Sequence, residues 1–140
     1  MLMANHTVIE QPTQMQNITS ELTRHAVDFI AASSQGARPW FYLMSYIHVH
    51  SPIFTSPKFT GVSAGGRFGD TVEELDDSVG QLLQATVQAG VADNTFVLFT
   101  SDNGPFAEEG YASCGRTGGL KGSKGQTYEG GVRVPGIAMW

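Results

Sequence analysis

Two short apolar runs along the chain predict strands of a buried sheet. One run spans residues 40–47 and the other spans residues 96–99, and both consist largely of aromatic and aliphatic side chains. Apolar runs of this length are typical of strands buried on both faces, as in a parallel sheet. A third apolar pattern over residues 133–140 predicts another strand, whereas residues 1–18 show no clear period and are expected to be irregular.

Two amphipathic helices are predicted around the first strand. Ser20 is expected to cap a helix that ends at residues 33–36, and Asp70 to cap a second helix that ends at Gly90, with residues 73–74 in its acidic first turn. The order strand, helix, strand implies a right-handed crossover between parallel strands, whose carboxyl ends then share one edge of the sheet. The positions expected to be buried are Leu22, Ala26, Val27, Phe29 and Ile30 on one helix, and Val72, Leu75, Val79, Leu82 and Leu83 on the other.

Polar side chains follow each of the two predicted strands. His48 and His50 come after the first strand, and Asp102 and Asn103 come after the second. Ligands of open α/β sheets bind beyond the carboxyl ends of the strands, and a carboxylate beside an amide oxygen suits a hard cation such as Ca²⁺ or Mg²⁺. The same Asp-Asn-Gly residues are also typical of a plain turn. Because the two histidines alternate, we expect one to face a site and the other a structural partner.

Residues 104–131 form a long glycine-rich stretch with little apolar period. A loop of this length in a compact domain is usually functional or disordered. Lys121 and Lys124 lie among its glycines, which allow a backbone to approach a ligand closely. The spacing of a phosphate-binding P-loop is absent. The stretch is therefore a candidate ligand-binding loop of another kind.

Composition narrows the class of protein. The 140 residues, 41% of them hydrophobic, suit one domain, and we see no internal repeat or second domain. A net charge of −5 without a basic stripe makes nucleic acid an improbable partner, and no apolar run approaches the length of a membrane span. Asn5 and Asn17 begin acceptor sequons for N-glycosylation, so a glycoprotein is expected, and Cys114 is the single cysteine.

Four ordered motifs give the chain a resemblance to a known family. They are Ser-Tyr-Ile-His-Val-His-Ser-Pro at 45–52, Gly-Asp-Thr-Val-Glu-Glu-Leu-Asp-Asp-Ser-Val-Gly-Gln at 69–81, Phe-Thr-Ser-Asp-Asn-Gly-Pro at 99–105, and Gly-Ser-Lys-Gly-Gln-Thr-Tyr-Glu-Gly-Gly-Val-Arg-Val-Pro-Gly at 122–136. From about residue 8 to residue 140 the chain resembles the type I sulfatases, and within them the steroid-sulfatase and related arylsulfatase branch. The resemblance implies an α/β fold of the alkaline-phosphatase-like type, with a mixed, mostly parallel sheet flanked by helices. It also implies hydrolysis of sulfate esters to an alcohol and sulfate.

The resemblance assigns roles to four residues of this chain. Asp102 and Asn103 match a pair that holds Ca²⁺ in the family. Lys124 matches a lysine that binds the sulfate, and His50 matches a histidine that contacts the sulfate or the departing oxygen. Positive side chains beside a metal make chemical sense, because they neutralise charge that develops on the sulfuryl and leaving oxygens. Lys121 is a rival sulfate ligand that we expect at the rim instead.

Two further residues that look catalytic are expected to be structural or inert. Glu129 lies in a glycine-rich turn beside Arg133, and an ion pair between them is predicted. Cys114 is followed by Gly-Arg-Thr, which does not match the Cys-x-Pro/Ala-x-Arg setting of the family's nucleophile. That nucleophile is a cysteine oxidised to formylglycine by the formylglycine-generating enzyme.

Several family elements find no counterpart in the sequence. The nucleophile motif, the first two aspartates, and a more N-terminal lysine and histidine would lie before residue 1. Residues 1–140 are therefore expected to be a partial catalytic domain, its central to C-terminal portion, which is inactive alone. The family implies the secretory pathway, either the endoplasmic reticulum lumen or the lysosome, with membrane association possible for the whole protein only.

Alternatives remain open for both the activity and the substrate. One alternative is a catalytically inactive fragment or pseudoenzyme. Another is a metal-dependent phosphodiesterase or phosphonate hydrolase on the same fold. The substrate could be a small-molecule ester, such as a steroid or phenolic sulfate, or a glycan sulfate, because the pocket walls lie largely elsewhere.

Overall fold

The computed structural model describes residues 1–107, 110 and 115–140. Two long helices, one single-turn helix and two small sheets make up the regular structure of these residues. In chain order the elements are β1 Leu2–Ala4, β2 Thr7–Glu10, α1 Ile18–Ser33, α2 Gly66–Gln88, β3 Val97–Thr100, the one-turn helix α3 Glu129–Val132, and β4 Gly136–Met139, with 3₁₀ turns at Met15–Asn17 and Ala92–Asn94.

Helices α1 and α2 pack against each other through small and polar side chains. Thr23 of α1 and Ser78 of α2 are buried and share a hydrogen bond of 2.5 Å between their hydroxyls, and the Tyr46 hydroxyl lies 2.7 Å from that of Ser78. Short side chains allow close approach of two helices. The buried positions are Ile18, Thr19, Thr23, Ala26 and Ile30 on α1, and Asp70, Thr71, Glu74, Ser78, Ala85 and Thr86 on α2.

The predicted apolar stripe of α2 is wrong, because the buried face is rotated towards polar residues. Val72 is 43% exposed, and the other four predicted positions are only partly buried. On α1 the prediction holds for Ala26 and Ile30. The larger apolar side chains of α2 therefore lie beside this buried face, where the described residues bury them only partly.

The helix starts differ from the predicted caps, whereas the helix ends agree. Helix α1 follows directly from a 3₁₀ turn, and the Ser20 hydroxyl donates back to the carbonyl of Asn17 at 2.8 Å. Helix α2 starts a turn before Asp70, whose carboxylate accepts backbone N–H groups of the preceding loop. Gly90 follows the end of α2 with φ of 69°, a left-handed conformation that suits glycine and stops the helix.

Strand β3 pairs with β4 in an antiparallel manner, with Val97 opposite Met139 and Thr100 opposite Gly136. The predicted third strand is confirmed. The predicted burial of the strand at residues 96–99 on both faces is wrong within the described residues, because Phe96 is 58% and Leu98 is 61% exposed. The reason is that β4 is the one strand paired with β3 in the described part of the chain.

The first predicted strand, residues 40–47, forms no strand pairing among the described residues. Its side chains alternate between partial burial and exposure from residue 40 to residue 47. Trp40 and Tyr42 contact the ring of Phe29 on α1, whereas Phe41 and Leu43 are 83% and 75% exposed. This period of two is that of a strand lying on a helical layer. The predicted parallel pairing is not formed within the described residues.

The amino-terminal residues form a hairpin rather than an irregular segment. Strands β1 and β2 pair in an antiparallel manner, with Ala4 opposite Thr7. Asn5 in the turn has φ of 53°, a conformation that asparagine tolerates better than most residues. A sequence without a clear hydrophobic period therefore still forms a hairpin, because the turn chemistry is favourable. Within the described residues, no helix combines the length and apolarity needed to cross a bilayer.

Candidate active site

The two histidines of the His-Val-His motif have different environments. His48 is 8% exposed, and its Nε2 lies 3.1 Å from a carboxylate oxygen of Glu74 on α2. Its ring packs on the ring of Phe54 at a centroid distance of 4.5 Å. His50 is exposed. The structure thus gives His48 a structural partner, as predicted for one of the two alternating residues, and leaves His50 at the surface.

His50 is held by its own segment in one orientation. Its backbone N–H donates to the carbonyl of Ile47 at 2.9 Å, and its Nδ1 lies 2.7 Å from the carbonyl of Ser51. A carbonyl only accepts, so Nδ1 carries the proton in this contact. The Nε2 atom is then the nitrogen that remains for partners outside the segment.

The Nε2 atom of His50 lies 2.7 Å from Nζ of Lys124, which is 74 positions further along the chain. With the proton of the imidazole on Nδ1, the ammonium of Lys124 donates to Nε2. The structure therefore brings together the two residues that the family resemblance assigns to the sulfate. Their predicted roles, as distinct from their contact, stay predictions.

Lys124 is positioned by backbone contacts with the loop that follows β3. Its N–H donates to the carbonyl of Pro105 at 2.9 Å, and its Nζ lies 5.7 Å from the centre of the Phe106 ring. The N–H of Gly104 donates to the carbonyl of Gly131 at 2.9 Å. The loop bearing Lys124 and the loop bearing Asp102 and Asn103 are thus joined side by side.

Glycines permit this close approach of backbones. A Cβ atom built on Gly104 would overlap the carbonyl oxygen of Gly130, and one built on Gly130 would overlap that of Gly122. The N–H of Gly130 also donates to the carbonyl of Lys121 at 2.8 Å. A larger residue at Gly104 or Gly130 would push these backbone segments apart and would displace Lys124.

The other candidate residues of the glycine-rich stretch have partners of their own or lie outside the described residues. The Nζ atom of Lys121 lies 4.0 Å from the centre of the Tyr128 ring, a cation–π contact. Glu129 and Arg133 form the predicted ion pair at 3.9 Å, with both side chains mostly exposed. Cys114 lies outside the described residues. Lys121 is therefore engaged elsewhere, while Lys124 contacts His50.

Asp102 and Asn103 follow β3, as predicted, and their side-chain oxygens are available. Asp102 is exposed and Asn103 is half-buried. The Ser101 hydroxyl donates to the backbone carbonyl of Asn103 at 3.1 Å, and the Thr100 hydroxyl to that of Pro135 at 3.0 Å. These contacts fix the backbone of the turn and leave the carboxylate and the side-chain amide free of hydrogen bonds within the described residues.

This donor set suits a hard cation as a part of its ligand sphere. A carboxylate and an amide oxygen that are adjacent and unengaged are ligands that Ca²⁺ accepts. The described residues contain no group of three or more His, Cys, Asp or Glu side chains able to hold a metal. The pair therefore supplies two oxygen ligands, and a Ca²⁺ ion, which takes six to eight, needs others.

Sequence reasoning missed two side chains of α2 that contact the His50 segment. Glu74 is 4% exposed and contacts His48, and Arg67 donates to the carbonyl of Ile53 at 2.8 Å. The sequence predicts Glu74 in the acidic first turn of the helix, where such side chains suit the helix dipole. Glu74 lies four residues from both Asp70 and Ser78, so the three side chains share one face of the helix. That spacing would have predicted the burial of Glu74 if this polar face had been recognised as the buried one.

The sequence of residues 3–140 matches the protein family described as Sulfatase. The chain belongs to the sulfatase family. The steryl-sulfatase of Homo sapiens is 41% identical over 143 residues, which cover 99% of this chain and 24% of that protein. The N-acetylgalactosamine-6-sulfatase of Mus musculus is 39% identical over 132 residues, or 94% of this chain and 25% of that protein. The chain thus spans about a quarter of the length of these relatives.

The fold is also that of solved sulfatases. The crystal structure of PsFucS1 sulfatase from Pseudoalteromonas sp. has a TM-score of 0.87 at 33% sequence identity, and the match covers 95% of this chain and 27% of that chain. The predicted α/β fold of the alkaline-phosphatase-like type is confirmed, and so is the predicted membership of the family that contains steryl-sulfatase.

Proposed function

We propose that the whole protein hydrolyses sulfate esters, so that RO–SO₃⁻ and water give ROH and HSO₄⁻. Residues 1–140 form the central to C-terminal portion of its catalytic domain in this proposal. The observation that carries it is the 2.7 Å contact between Lys124 Nζ and His50 Nε2. Membership of the sulfatase family supports the reaction class.

Lys124 and His50 divide the work on the ester in a way that their geometry supports. The ammonium of Lys124 stabilises negative charge on the sulfuryl oxygens. The Nε2 atom of His50 faces the same point, because Nδ1 is engaged by the Ser51 carbonyl. Once the Lys124 ammonium turns to the sulfuryl oxygens, Nε2 no longer accepts from it and takes up a proton, which His50 then delivers to the departing oxygen.

Two groups that the family implies would complete the site. Asp102 and Asn103 would hold a Ca²⁺ ion, which supplies a positive charge that neutralises the sulfuryl oxygens when bound. The nucleophile would be a formylglycine made from a cysteine by the formylglycine-generating enzyme, and it would lie outside residues 1–140. The free oxygens of Asp102 and Asn103 support the calcium part of the proposal.

The same family membership supports a proposal for the substrate class and the compartment. The relatives include a steryl-sulfatase and an N-acetylgalactosamine-6-sulfatase. We propose a sulfate ester of a small alcohol, phenol or glycan as the substrate, and the endoplasmic reticulum lumen or the lysosome as the location. The exposed sequon residues Asn5 and Asn17 are compatible with glycosylation there.

The test is the sulfatase activity of the full-length protein, co-expressed with the formylglycine-generating enzyme and assayed with 4-nitrophenyl sulfate. Loss of a preorganised charge contact of this kind costs about 10²–10³ in rate, so Lys124→Ala should lower kcat/KM by that order. Lys121→Ala is the matched control in the same loop and should retain most of the activity. Asp102→Asn should weaken the restoration of activity by Ca²⁺ after treatment with a chelator.

Two outcomes would contradict the proposal. A folded wild-type protein with a converted cysteine and no sulfatase activity would favour a pseudoenzyme. Turnover of a phosphate diester or a phosphonate ester without turnover of the sulfate would favour the related metal-dependent hydrolases. Equal losses in Lys124→Ala and Lys121→Ala would leave the reaction in place and remove the assignment of the sulfate ligand.

A further inference from the structure

A single buried carboxylate contacts both ends of the segment that carries His50. The Oε2 atom of Glu74 lies 3.1 Å from Nε2 of His48, and the N–H of Ser56 donates to the two Glu74 oxygens at 3.2 and 3.3 Å. Glu74 is 4% exposed, and its position on α2 places it in the packed layer of the two helices. Residues 48–56 therefore form a loop whose two ends meet at one side chain.

Other contacts of the same loop agree with this attachment. Arg67, two turns earlier on α2, donates to the carbonyl of Ile53 at 2.8 Å. The ring of His48 packs on the ring of Phe54 at 4.5 Å, so residues near the two ends also contact each other. Since a carboxylate that is ionised only accepts, Nε2 of His48 carries the proton in its contact with Glu74.

We propose that Glu74 is the positioning residue for His50. It holds both ends of segment 48–56 and thereby sets where the imidazole of His50 meets Lys124. Glu74 touches neither Lys124 nor His50 in the described structure, so its action passes through His48 and Ser56. The catalytic part of this inference rests on the proposed function, whereas the structural part does not.

The physical reason is the cost of unpaired buried groups. Removing the carboxylate leaves the imidazole N–H of His48 and the N–H of Ser56 without their acceptor. Such groups regain partners by moving towards water, because burying them unpaired is costly. His50 lies two residues from His48, so its Nε2 moves relative to Lys124 when the first end of the loop shifts.

Asp70 offers a matched control on the same helix. It is 3% exposed, and its carboxylate accepts the N–H groups of Gly61 at 2.9 Å and Ser63 at 2.8 Å. It lies one turn before Glu74 and has the same chemistry, but it holds the chain after the His50 segment. A purely structural effect of losing a buried carboxylate on α2 should therefore appear in both variants.

The first measurement needs no activity. Amide hydrogen exchange is followed in the full-length protein for wild type, Glu74→Ala, Glu74→Gln and Asp70→Ala. Loss of about one hydrogen bond speeds the exchange of a protected amide roughly tenfold. Glu74→Ala should therefore raise the amide exchange rates of Ser56 and His50 by about that factor. Asp70→Ala should instead affect Gly61 and Ser63. Unchanged exchange at Ser56 and His50 in folded Glu74→Ala would overturn the proposal.

Glu74→Gln keeps the measurement decisive where the alanine variant does not fold. The amide oxygen of Gln still accepts from Ser56, so exchange at Ser56 should stay close to the wild-type rate. The amide oxygen can accept from both His48 and Ser56, or the amide can turn and donate to His48, and in either case the ring loses its charged acceptor. The ¹⁵N chemical shifts of the His48 ring report that change, and ring shifts identical to wild type would contradict the contact.

The second measurement uses the leaving group. His50 is proposed to protonate the departing oxygen, so its displacement should matter more for a poor leaving group. Glu74→Ala should therefore lower kcat/KM for phenyl sulfate about tenfold more than for 4-nitrophenyl sulfate. The extra loss reflects weaker proton donation to the departing oxygen in the transition state. Asp70→Ala should lower both by the same factor. In a His50→Ala background the extra loss from Glu74→Ala should disappear, since the two residues act as a unit.

The two measurements separate failure of this inference from failure of the proposed function. A wild-type protein inert towards sulfate esters, with faster exchange at Ser56 and His50 in Glu74→Ala, removes the proposed function and keeps the attachment. An active wild type with equal losses for both esters in Glu74→Ala removes the positioning role and keeps the sulfatase.

Discussion

The two segments that meet at the His50–Lys124 contact are held in different ways. Segment 48–56 is attached to α2 by side chains, through Glu74 and Arg67. The described part of residues 104–131 is held together by backbone hydrogen bonds between its beginning and its end, among them Lys124 to Pro105 and Gly104 to Gly131. One half of the contact therefore depends on the chemistry of two helical side chains, and the other half depends on the absence of side chains.

This difference predicts which substitutions each segment tolerates. A segment held by side chains is displaced when the holding residue is shortened or neutralised. A segment held by closely packed backbones is displaced when any atom is added at the packed glycines. The two halves of the site can therefore be disturbed separately.

The largest effect is expected from Gly104→Ala. The added Cβ atom would overlap the carbonyl oxygen of Gly130, and backbone atoms cannot rotate away as a flexible side chain can. Overpacking at a buried site of this kind costs about 3 kcal/mol of unfolding free energy. The measurement is urea unfolding of the full-length variant, together with the nuclear magnetic resonance signals of the His50 ring.

Gly36→Ala is the control for the same chemical change. The nearest atom to a Cβ on Gly36 is the Ser33 carbonyl oxygen at 3.8 Å, an ordinary contact distance. Its unfolding free energy should stay close to that of wild type. A Gly104→Ala protein as stable as Gly36→Ala would break the distinction between the two segments.

A smaller and pH-dependent effect is expected at Asp70. Hydrogen bonds from the backbone N–H of Ser63 and then Gly61 hold the pKa of this carboxyl below its ordinary value of 3.8. The unfolded chain therefore binds a proton more readily than the folded chain between the lowered pKa and the ordinary one. The stabilisation by Asp70 is complete above the ordinary pKa and is lost as the pH falls through the lowered one.

Urea midpoints measured between about pH 3 and pH 6 test this sign. Wild type should exceed Asp70→Asn at the upper end, and the two curves should converge as the pH falls. Asp76→Asn, on the exposed side of the same helix, is the control and should follow wild type. A gap between wild type and Asp70→Asn that widens on acidification would contradict the hydrogen bonds to Gly61 and Ser63.

The smallest effect is expected from the surface ion pair of Lys58 and Asp77. Their atoms lie 2.8 Å apart, but the side chains are 66% and 34% exposed. Exposed pairs of this kind contribute about 0.5 kcal/mol or less, and salt screens them. Lys58→Ala should therefore shift the urea midpoint slightly at low salt and not at 1 M salt. A loss as large as that of Gly104→Ala would show that side chains dominate here too.

The two residues of the His50–Lys124 contact could be named from the family resemblance, whereas the support of the contact could not. The alternation of His48 and His50 predicted one ring facing a site and one with a structural partner, and the resemblance assigned both His50 and Lys124 to the sulfate. Glu74 was missed because acidic residues near a helix start normally suit the dipole and solvent. Its burial depends on the approach of segment 48–56, which no local pattern contains.

The fold shows the same division between local and distant causes. The strand after residue 96, the strand after residue 133 and the glycine stop at Gly90 follow from local pattern and turn chemistry. The buried face of α2 does not, because it is decided by the short side chains through which α1 approaches. The expected pairing of residues 40–47 also depends on which segments lie beside them, and the exposed side chains of Phe41 and Leu43 mark that open side.

Segment 48–56 is suited to loop exchange, because one carboxylate fixes both of its ends. Lengthening a flexible loop whose ends are fixed costs only about 0.6 kcal/mol for each doubling of its length. His50 lies close to the first attachment, whereas Ile53 and Phe54 lie near the second. Residues inserted after Pro52 would therefore extend beside the site while the contacts of Glu74 and the His50–Lys124 pair stay in place. Under the proposed function, libraries of such insertions offer a route to altered ester selectivity on an unchanged scaffold.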